Sequence, residues 1–270
     1  MRLFLLWTQA GLRTLVRTPR AAFFTLAFPV LLLVLIGATN SGTVTAAGGK
    51  VDFAQYFTPS LAIFGLSFAC YTSLVFSIPR AREQGILKRV RGTPLEPSIY
   101  LTALISVALI SGVGSVLLMV AVGAAAFGVH VYLHLLPAAL LTLVLGGLCL
   151  SALGIAVSSF VVRADTAPVV ANLTLLPLTF ISGVFSPMHG APDWITTVAH
   201  VFPLSHLVDA FYATFNPHTT GSGFAWGDLA VLVAWTVVGA RVAERRFRWD
   251  PTPAGSHRRQ RDPDVRTAPG

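Results

Sequence analysis

Six long runs of apolar residues constrain this chain more than any other feature of its sequence. A helix needs about 20 consecutive apolar residues to cross the hydrocarbon core of a bilayer. Of the 270 residues, 54% are apolar and 11% are charged, whereas soluble domains carry about 25% charged residues. We therefore expect an all-α integral membrane protein with six transmembrane helices. These are predicted near residues 21–39, 57–78, 99–127, 135–162, 167–185 and 229–243.

The positions of the basic residues predict how these helices are oriented. Lys and Arg are enriched in cytoplasmic loops beside transmembrane helices. All of the 19 basic residues except Lys50 fall on one side of the predicted membrane. Both termini are therefore predicted to be cytoplasmic, in a multi-pass protein of the cell inner or plasma membrane. Because the basic residues form separate clusters beside the membrane, we expect the lipid bilayer, and no nucleic acid, as a partner.

The two ends of the chain differ from the membrane runs. A helical wheel of residues 1–18 places Phe4, Trp7, Gly11 and Leu15 on one face and Arg2, Gln9, Arg13 and Arg17 on the other. This pattern predicts an N-terminal interfacial helix. The first run is expected to be an uncleaved span, because its basic leader is too long for a signal peptide. The membrane domain is predicted to cover residues 1–249, and residues 250–270, rich in Pro, Arg and Asp, are predicted to be a disordered cytoplasmic tail.

The loop between the second and third runs contains an ordered pattern of charge, REQGILKRVRGTPLEP at residues 82–97. If residues 80–91 form one helix, an acidic first turn is followed by apolar residues at helical spacing, and Gly92 supplies a stop. The residues assigned to this surface helix are Arg82, Glu83, Ile86, Leu87, Val90 and Arg91. The alternative is that the loop carries Lys and Arg only to fix the topology.

Polar residues inside the predicted spans are few, and none near a span centre is ionisable. Ion-coupled carriers and intramembrane hydrolases place carboxylates or histidines at depth, so both classes are disfavoured and no catalytic residue is assigned. The polar positions are Tyr71, Thr72, Ser73, Asn172, Thr174 and Ser182. They are candidates for a translocation path, or they serve ordinary helix packing, as Ser and Thr do in membranes.

No metal ion or cofactor is expected to bind to this chain. His130 and His134 have the spacing of metal ligands, but no carboxylate or cysteine accompanies them. The nearest approach to a phosphate-binding loop, at residues 48–51, lacks the first glycine and the hydroxyl residue of that motif. The outer segment at residues 186–226, which contains no Lys or Arg, predicts short helices that dip into the outer leaflet with Trp194 at the interface.

Two segments of the sequence resemble those of a known family. PRAREQGILKRVRGTPLEPSIYL, residues 79–101, is similar to the cytoplasmic segment between the second and third spans of ABC-2-type transporter permeases, especially the daunorubicin-resistance-like exporters. FISGVFSPMHGAPDWITTVAHVFPLSHLVDAF, residues 180–211, resembles the outer segment of that family after its fifth span. One departure concerns Asp209 and Ala210: the family often has an arginine shortly after this pair, and here Phe211 and Tyr212 follow.

The resemblance implies a fold, partners and roles for the residues singled out above. It implies a type V exporter-like permease without its own ATPase, paired as a homodimer or heterodimer, with ATP and Mg bound by two copies of a separate ATP-binding subunit. The helix at residues 80–91 would dock on that subunit. The short outer helices, with Pro187, Pro192, Trp194 and Pro203, would close the exit pathway.

The expected function is therefore export of a hydrophobic or amphipathic substrate such as a drug, a natural product or a lipid-linked glycan. Such export would contribute to multidrug or antibiotic resistance. The alternative is a membrane scaffold that anchors a cytoplasmic complex without transport, and a secondary carrier is a third reading. The sequence does not distinguish among the substrates.

Overall fold

The computed structural model of the chain describes residues 8–13, 23, 27–40, 42–46, 49–92, 97–185 and 192–247. In chain order, its helices are α1 (Phe28–Thr39), α2 (Phe53–Glu83), α3 (Ile86–Arg91), α4 (Pro97–Phe127), α5 (Leu136–Ser158), α6 (Ala167–Ile181), α7 (Asp193–Ala199), α8 (Pro203–Ala213) and α9 (Trp226–Arg246). The strands β1 (Thr43–Ala46) and β2 (Gly49–Asp52) form an antiparallel hairpin between α1 and α2. The predicted tail at residues 250–270 lies outside the described residues.

The apolar helices in the described part of the chain lie on the six predicted runs. Four are long and apolar enough to cross a membrane: α2, α4 from Ile99 to Phe127, the stretch Leu133–Ser158 that contains α5, and α9. The helices α1 and α6 are apolar but shorter. The helix at the sixth run is longer than the predicted 229–243, because residues 226–228 and the charged residues 244–246 continue the same helix. The predicted all-α class thus matches a mostly helical structure.

The helix α2 lies at the centre of the bundle. Every residue from Gln55 to Ser67 is buried, which is why this run is apolar around most of its circumference. The helices α1, α4, α5 and α8 pack against α2, and α9 packs against α5. We call the end of the bundle that contains residues 80–92, 159–166 and 241–247 the basic end, and the end that contains residues 40–52 and 128–135 the opposite end.

Two glycines allow the helices to approach closely. A β-carbon on Gly154 of α5 would lie 2.8 Å from the carbonyl oxygen of Tyr71 in α2. One on Gly239 of α9 would lie 3.1 Å from the backbone of Ala152 in α5. Small residues serve this purpose in many membrane helices. Beside Gly154, residues Phe68–Thr72 of α2 form a π-helical turn, a wide turn that is common at functional sites.

The hairpin of β1 and β2 was not expected from the sequence, which predicted only a loop between the first two spans. Its register pairs Val44 with Val51, and Val51 is buried. Val51 packs in a small cluster with Tyr56 of α2 and Tyr212 of α8. The alternation of polar and apolar residues over both strands is typical of a hairpin with one covered face. The hairpin therefore caps the opposite end of α2.

The surface helix predicted at residues 80–91 is broken in the structure, and the expectation of one continuous helix was wrong. Residues up to Glu83 are the last turn of α2, and α3 begins at Ile86. Gly85 between them has φ +68°, a left-handed conformation that other residues rarely adopt. The N–H of Gly85 donates to the carbonyl of Arg82 at 3.0 Å, which closes the end of α2. The predicted stop at Gly92 agrees with the end of α3 at Arg91.

The predicted N-terminal interfacial helix is described only at residues 8–13, which are helical. Gln9 and Arg13, on the predicted polar face, are exposed. Gly11, on the predicted apolar face, lies against α4, since a β-carbon there would be 2.7 Å from a methyl group of Val107. This part of the segment therefore packs on a predicted span of its own chain.

Candidate functional site

Two consecutive residues at the end of α2 hold the turn between α5 and α6. The guanidinium of Arg82, which is 2% exposed, donates to the carbonyl of Val161. The carboxylate of Glu83 accepts a hydrogen bond from the N–H of Ala164 at 2.7 Å. We call Arg82, Glu83 and the backbone of residues 161–164 the loop clamp. It joins the end of α2 to the turn between α5 and α6.

Arg163 adds charge beside the loop clamp. Its guanidinium forms an exposed ion pair with Asp165 at 2.8 Å. The hydrogen bond and charge of Asp165, together with the charge of Glu83, raise the pKa of Arg163 above its ordinary value. Because this pair is exposed to solvent, it stabilises the turn only weakly. The buried Arg82 is therefore the stronger anchor.

The residues assigned to the surface helix divide into buried and exposed groups. Leu87 and Val90 of α3 are buried, at 0% and 5% exposure, and Ile86 is half-buried. These side chains face α2 and α4 of their own chain, so they fix α3 to the bundle. The side chains that face outward at this end are Arg80, Glu83, Gln84, Lys88 and Arg89. The side chain of Arg91 lies outside the described part of the structure.

Two of the candidate translocation residues meet in the structure. The hydroxyl oxygens of Tyr71 in α2 and Thr174 in α6 lie 2.6 Å apart. Thr174 donates its own proton to the carbonyl of Val170 at 2.8 Å, so Tyr71 is the donor between the two side chains. The sequence singled out both residues separately but gave no indication that they form a pair.

The other candidate translocation residues do not join this pair. The hydroxyl of Ser73 donates to the carbonyl of Ala69, and that of Ser182 donates to the carbonyl of Thr179 at 3.3 Å. Thr72 is buried, and its hydroxyl has no hydrogen-bond partner within the described part of the chain. Asn172 is exposed on the outer surface of α6. Backbone pairing of this kind is typical of packing residues in membrane helices.

An apolar cavity of about 160 Å³ lies beside the Tyr71–Thr174 pair. Its walls come from α5, α6 and α9, and its lining includes Leu150, Leu153, Val157, Leu175, Leu178 and Trp235. The corner between α7 and α8, at Phe202 and Pro203, closes the side toward the opposite end. The cavity is partly open at the surface, and a lining of this kind accepts small apolar groups.

The outer segment forms two short helices, of which α7 packs against α6 and α8 packs against α9. Phe202 stacks on Trp235 with ring centroids 6.3 Å apart, and the indole N–H of Trp235 donates to the carbonyl of Val201 at 3.1 Å. His206 contacts Asp228, seven residues before Trp235, so these contacts cover about 10 Å of the α9 axis. The corner of α7 and α8 therefore lies about 10 Å along the α9 axis from the outer end of that helix.

The proline and tryptophan residues singled out in the outer segment lie near the starts of α7 and α8. Pro192 precedes α7, and Pro203 is buried at the first position of α8, where a missing N–H has no cost. Trp194 is 69% exposed on α7. Phe211 and Tyr212, where the sequence departs from the family pattern, are buried aromatic residues. Pro187 lies outside the described residues.

A histidine network links the end of α7 with α8 and α9, and the sequence gave no signal for it because Asp228 lies 22 positions after His206 in a different helix. The Nδ1 atom of His206 lies 2.7 Å from a carboxylate oxygen of Asp228, and its Nε2 atom lies 2.8 Å from the carbonyl oxygen of His200. His200 in turn lies 4.0 Å from the carboxylate of Asp209. Both partners of the His206 ring are acceptors, so the ring satisfies both only when it is doubly protonated.

The pKa of His206 reflects the same geometry. Burial alone would lower it, but the hydrogen bonds to Asp228 and His200 and the charges of Asp228 and Asp209 outweigh burial and raise the pKa above 6.5. Among the residues that the structure describes, no group of three or more His, Cys, Asp or Glu side chains is arranged to hold a metal ion. The doubly protonated ring therefore joins the start of α9 to the corner of α7 and α8 by two hydrogen bonds.

A second set of bonds fixes the opposite end of α2. The side-chain amide of the buried Gln55 donates to the carbonyls of His130 and Phe215, at 2.9 and 2.7 Å, and accepts from the N–H of His130 at 2.8 Å. The Gln55 side chain thus forms hydrogen bonds both with the segment after α4 and with the segment after α8. His130, considered above as a metal ligand, takes part through its backbone.

Four helices of the described residues are long and apolar enough to cross a membrane, which indicates a multi-pass membrane protein, consistent with the plasma membrane. The family model described as "ABC-2 type transporter" matches residues 2–216. The chain therefore belongs to the ABC-2 type transporter family, and the resemblance found in the sequence is confirmed.

Two curated relatives match the same chain. It is 23% identical over 199 residues to the "Probable multidrug ABC transporter permease YbhR" of Escherichia coli (strain K12), an overlap of 74% of this chain and 54% of that protein. The protein of the same name from Escherichia coli O157:H7 matches with the same figures. The chain thus spans about half the length of the curated relatives it matches.

Proposed function

We propose that this chain is the membrane subunit of an ATP-driven exporter. Two copies of a separate ATP-binding subunit would hydrolyse ATP with Mg, and two membrane subunits, alike or different, would form the pathway. Membership of the ABC-2 family supports this reading, as does the multidrug permease named among its relatives. The observation that carries the mechanism is the loop clamp, because it connects the exposed basic end to three of the apolar helices.

The ATP-binding subunit would dock on the outward-facing side chains at the basic end, Arg80, Gln84, Lys88 and Arg89. Leu87 and Val90 would hold α3 against the other helices, since both side chains are buried there. A push on α3 would move α2, and the loop clamp would carry the same movement into α5 and α6. Such a switch requires contacts that differ between the two states, which the clamp supplies if it opens or closes with the ATPase cycle.

The substrate class that we propose is hydrophobic or amphipathic, such as a drug, a natural product or a lipid-linked glycan. The polar groups available at mid-depth are hydroxyls, such as the Tyr71–Thr174 pair. A strongly charged substrate would need ionised partners at this depth, and transferring a charge to the bilayer centre costs at least about 2.5 kcal/mol. The resistance of a host cell to such compounds would follow from their export.

The test uses proteoliposomes that contain this chain and its ATP-binding subunit, identified by co-purification from native membranes. A fluorescent anthracycline serves as the transport probe. We expect ATP-dependent flux and substrate-stimulated ATP hydrolysis, and we expect Glu83→Lys to abolish both while membrane insertion stays normal. The matched control is Glu244→Lys, which removes another exposed carboxylate of the basic end, paired with Arg241 within the described residues.

The competing function is a scaffold that anchors a cytoplasmic complex. A scaffold would bind its partner without ATP-dependent flux, and Glu83→Lys would leave ATP hydrolysis unchanged. If the co-purified partner is not an ATPase, the exporter assignment is wrong.

A further inference from the structure

The cavity beside Tyr71 and Thr174 has the chemistry of hydrocarbon. The side chains that line it are aliphatic or aromatic except Thr174, whose hydroxyl bonds to Tyr71 and to the carbonyl of Val170. Trp235 turns its one polar atom away to the carbonyl of Val201. Its volume of about 160 Å³ is close to that of engineered apolar cavities that take up benzene. The cavity therefore suits a short piece of hydrocarbon, such as the end of an acyl chain.

The helices around the cavity place it beside the lipid. The helix α6 packs on α2, whereas α9 packs on α5, so the two helices flank the cavity from different sides. Their outward faces carry exposed apolar side chains, including Leu173 of α6 and Val237 of α9. A hydrocarbon chain that enters between α6 and α9 therefore passes from the lipid into a second apolar environment.

A basic cluster lies below the cavity, at the end of α9. Arg245 and Arg246 are exposed in its last turn. The guanidinium of Arg246 lies 5.9 Å from the ring centroid of Phe160, in the turn between α5 and α6. Arg163 is in the same turn. Basic clusters between helices at the cytoplasmic face are typical sites for anionic lipid headgroups.

The distance between the basic cluster and the cavity matches the length of an acyl chain. Trp235 and Arg246 are eleven positions apart in α9, which corresponds to about 16 Å along the helix axis. One leaflet of the hydrocarbon core is about 15 Å thick. A lipid with its headgroup at Arg246 would therefore bring the end of an acyl chain to the level of Trp235.

We propose that the basic cluster of Arg245 and Arg246 binds the headgroup of one anionic phospholipid, and that the cavity holds the end of one of its acyl chains. This lipid fills the space between α6 and α9 below the corner of α7 and α8. The site belongs to a single chain and does not depend on the transported substrate or on the ATP-binding subunit.

The test measures quenching of Trp235 fluorescence by lipids that carry bromine near the chain end. Trp7, Trp194, Trp226 and Trp249 are replaced by Phe, and the protein is placed in phosphatidylcholine nanodiscs. An equal fraction of brominated phosphatidylglycerol or brominated phosphatidylcholine is then added. A reference protein, with Trp235→Phe and Leu173→Trp, reports contact with bulk lipid, because Leu173 is 73% exposed.

We expect brominated phosphatidylglycerol to quench Trp235 at lower fractions than brominated phosphatidylcholine, with a preference of roughly fivefold for each arginine involved. The reference protein should respond to both lipids alike. Replacing both Arg245 and Arg246 by Gln should remove the preference at Trp235. The matched control, Lys88→Gln with Arg89→Gln, changes the charge equally on α3 and should leave the preference intact.

Filling the cavity tests the second half of the proposal. Leu178→Phe or Leu153→Phe should reduce quenching of Trp235 by either brominated lipid while the reference position is unaffected. Two variants are used so that a failure of one to fold leaves the other. The proposal is overturned if Trp235 shows the same lipid preference as the reference position, or if neither the arginine nor the cavity variants change its quenching.

Discussion

The carboxylate of Glu83 accepts the backbone N–H of Ala164 at 2.7 Å, a bond between residues 81 positions apart in the chain. The acceptor is the last residue of α2, and the donor lies in the turn that precedes α6. Because the donor is a backbone group, the identity of residue 164 is unimportant as long as it keeps its N–H. The bond can therefore be removed from either side.

Removing this bond from either side should reduce coupling. Glu83→Ala removes the acceptor, and Ala164→Pro removes the donor. We expect each variant to lower substrate-stimulated ATP hydrolysis in proteoliposomes several-fold, and the double variant to be no worse than the single ones, since both remove the same interaction. Glu244→Ala is the control with normal hydrolysis. Additive losses in the double variant would mean that the two residues act separately.

The break between α2 and α3 should depend on glycine. Gly85→Ala places a β-carbon on a left-handed residue, which costs about 1–2 kcal/mol. We expect a melting temperature a few degrees lower in detergent, measured with a thiol dye that reacts with the buried Cys70 and Cys149 only when the chain opens. Gly114→Ala is the control, since a β-carbon there meets no atom within 4 Å. Equal melting temperatures for both variants would contradict the strained-turn interpretation.

The His206 network should make the outer helices sensitive to pH. The folded pKa of His206 is raised above 6.5, so its contribution to stability is complete below 6.5 and is lost as pH rises through the raised pKa. We expect the melting temperature of the native protein to fall as the pH rises from 6.5 through the raised pKa of His206, and this fall to be smaller in Asp228→Asn. His206→Gln should flatten the profile further. A melting temperature of the native protein that rises over this pH range would contradict the raised pKa of His206.

The close contact of α5 with the π-helical turn of α2 should not tolerate a side chain. Gly154→Ala brings a β-carbon to 2.8 Å from the carbonyl oxygen of Tyr71, and overpacking of this kind typically costs about 1–3 kcal/mol. We expect a lower melting temperature in the same thiol assay. Gly227→Ala, at an open position of α9, should behave as the native protein does. If the two variants have the same melting temperature, α2 and α5 can move apart enough to accommodate the added methyl group.

The sequence predicted the apolar helices well because the bilayer imposes a length and a composition on each of them. It predicted one surface helix where the structure has two segments, because helical spacing around Gly85 looks continuous on a wheel. Gly85 follows two polar residues at the end of an apolar run, a position where glycine commonly ends helices. The hairpin at residues 43–52 was missed because a short alternating stretch gives a weak signal next to strong apolar runs.

The pairings within the site could not be predicted from the sequence. Tyr71 and Thr174 were both candidates, yet their contact depends on how α6 packs against α2. His206 and Asp228 are separated by 22 positions and belong to different helices. A sequence pattern identifies polar residues in apolar surroundings, but only the packing of the helices decides which of them meet.

The π-helical turn at residues 68–72 has a further consequence for the angular phase of α2. A wide turn of this kind accommodates about one residue more than an α-helical turn. Each residue of an α-helix advances the face by about 100°. The helix α2 contains 31 residues. Because of the wide turn, the angle about the helix axis between Gln55 and Arg82 is that of a regular helix with one residue fewer. Deleting one residue within the turn would preserve that alignment, whereas the same deletion elsewhere in α2 would turn the loop clamp away from residues 161–164.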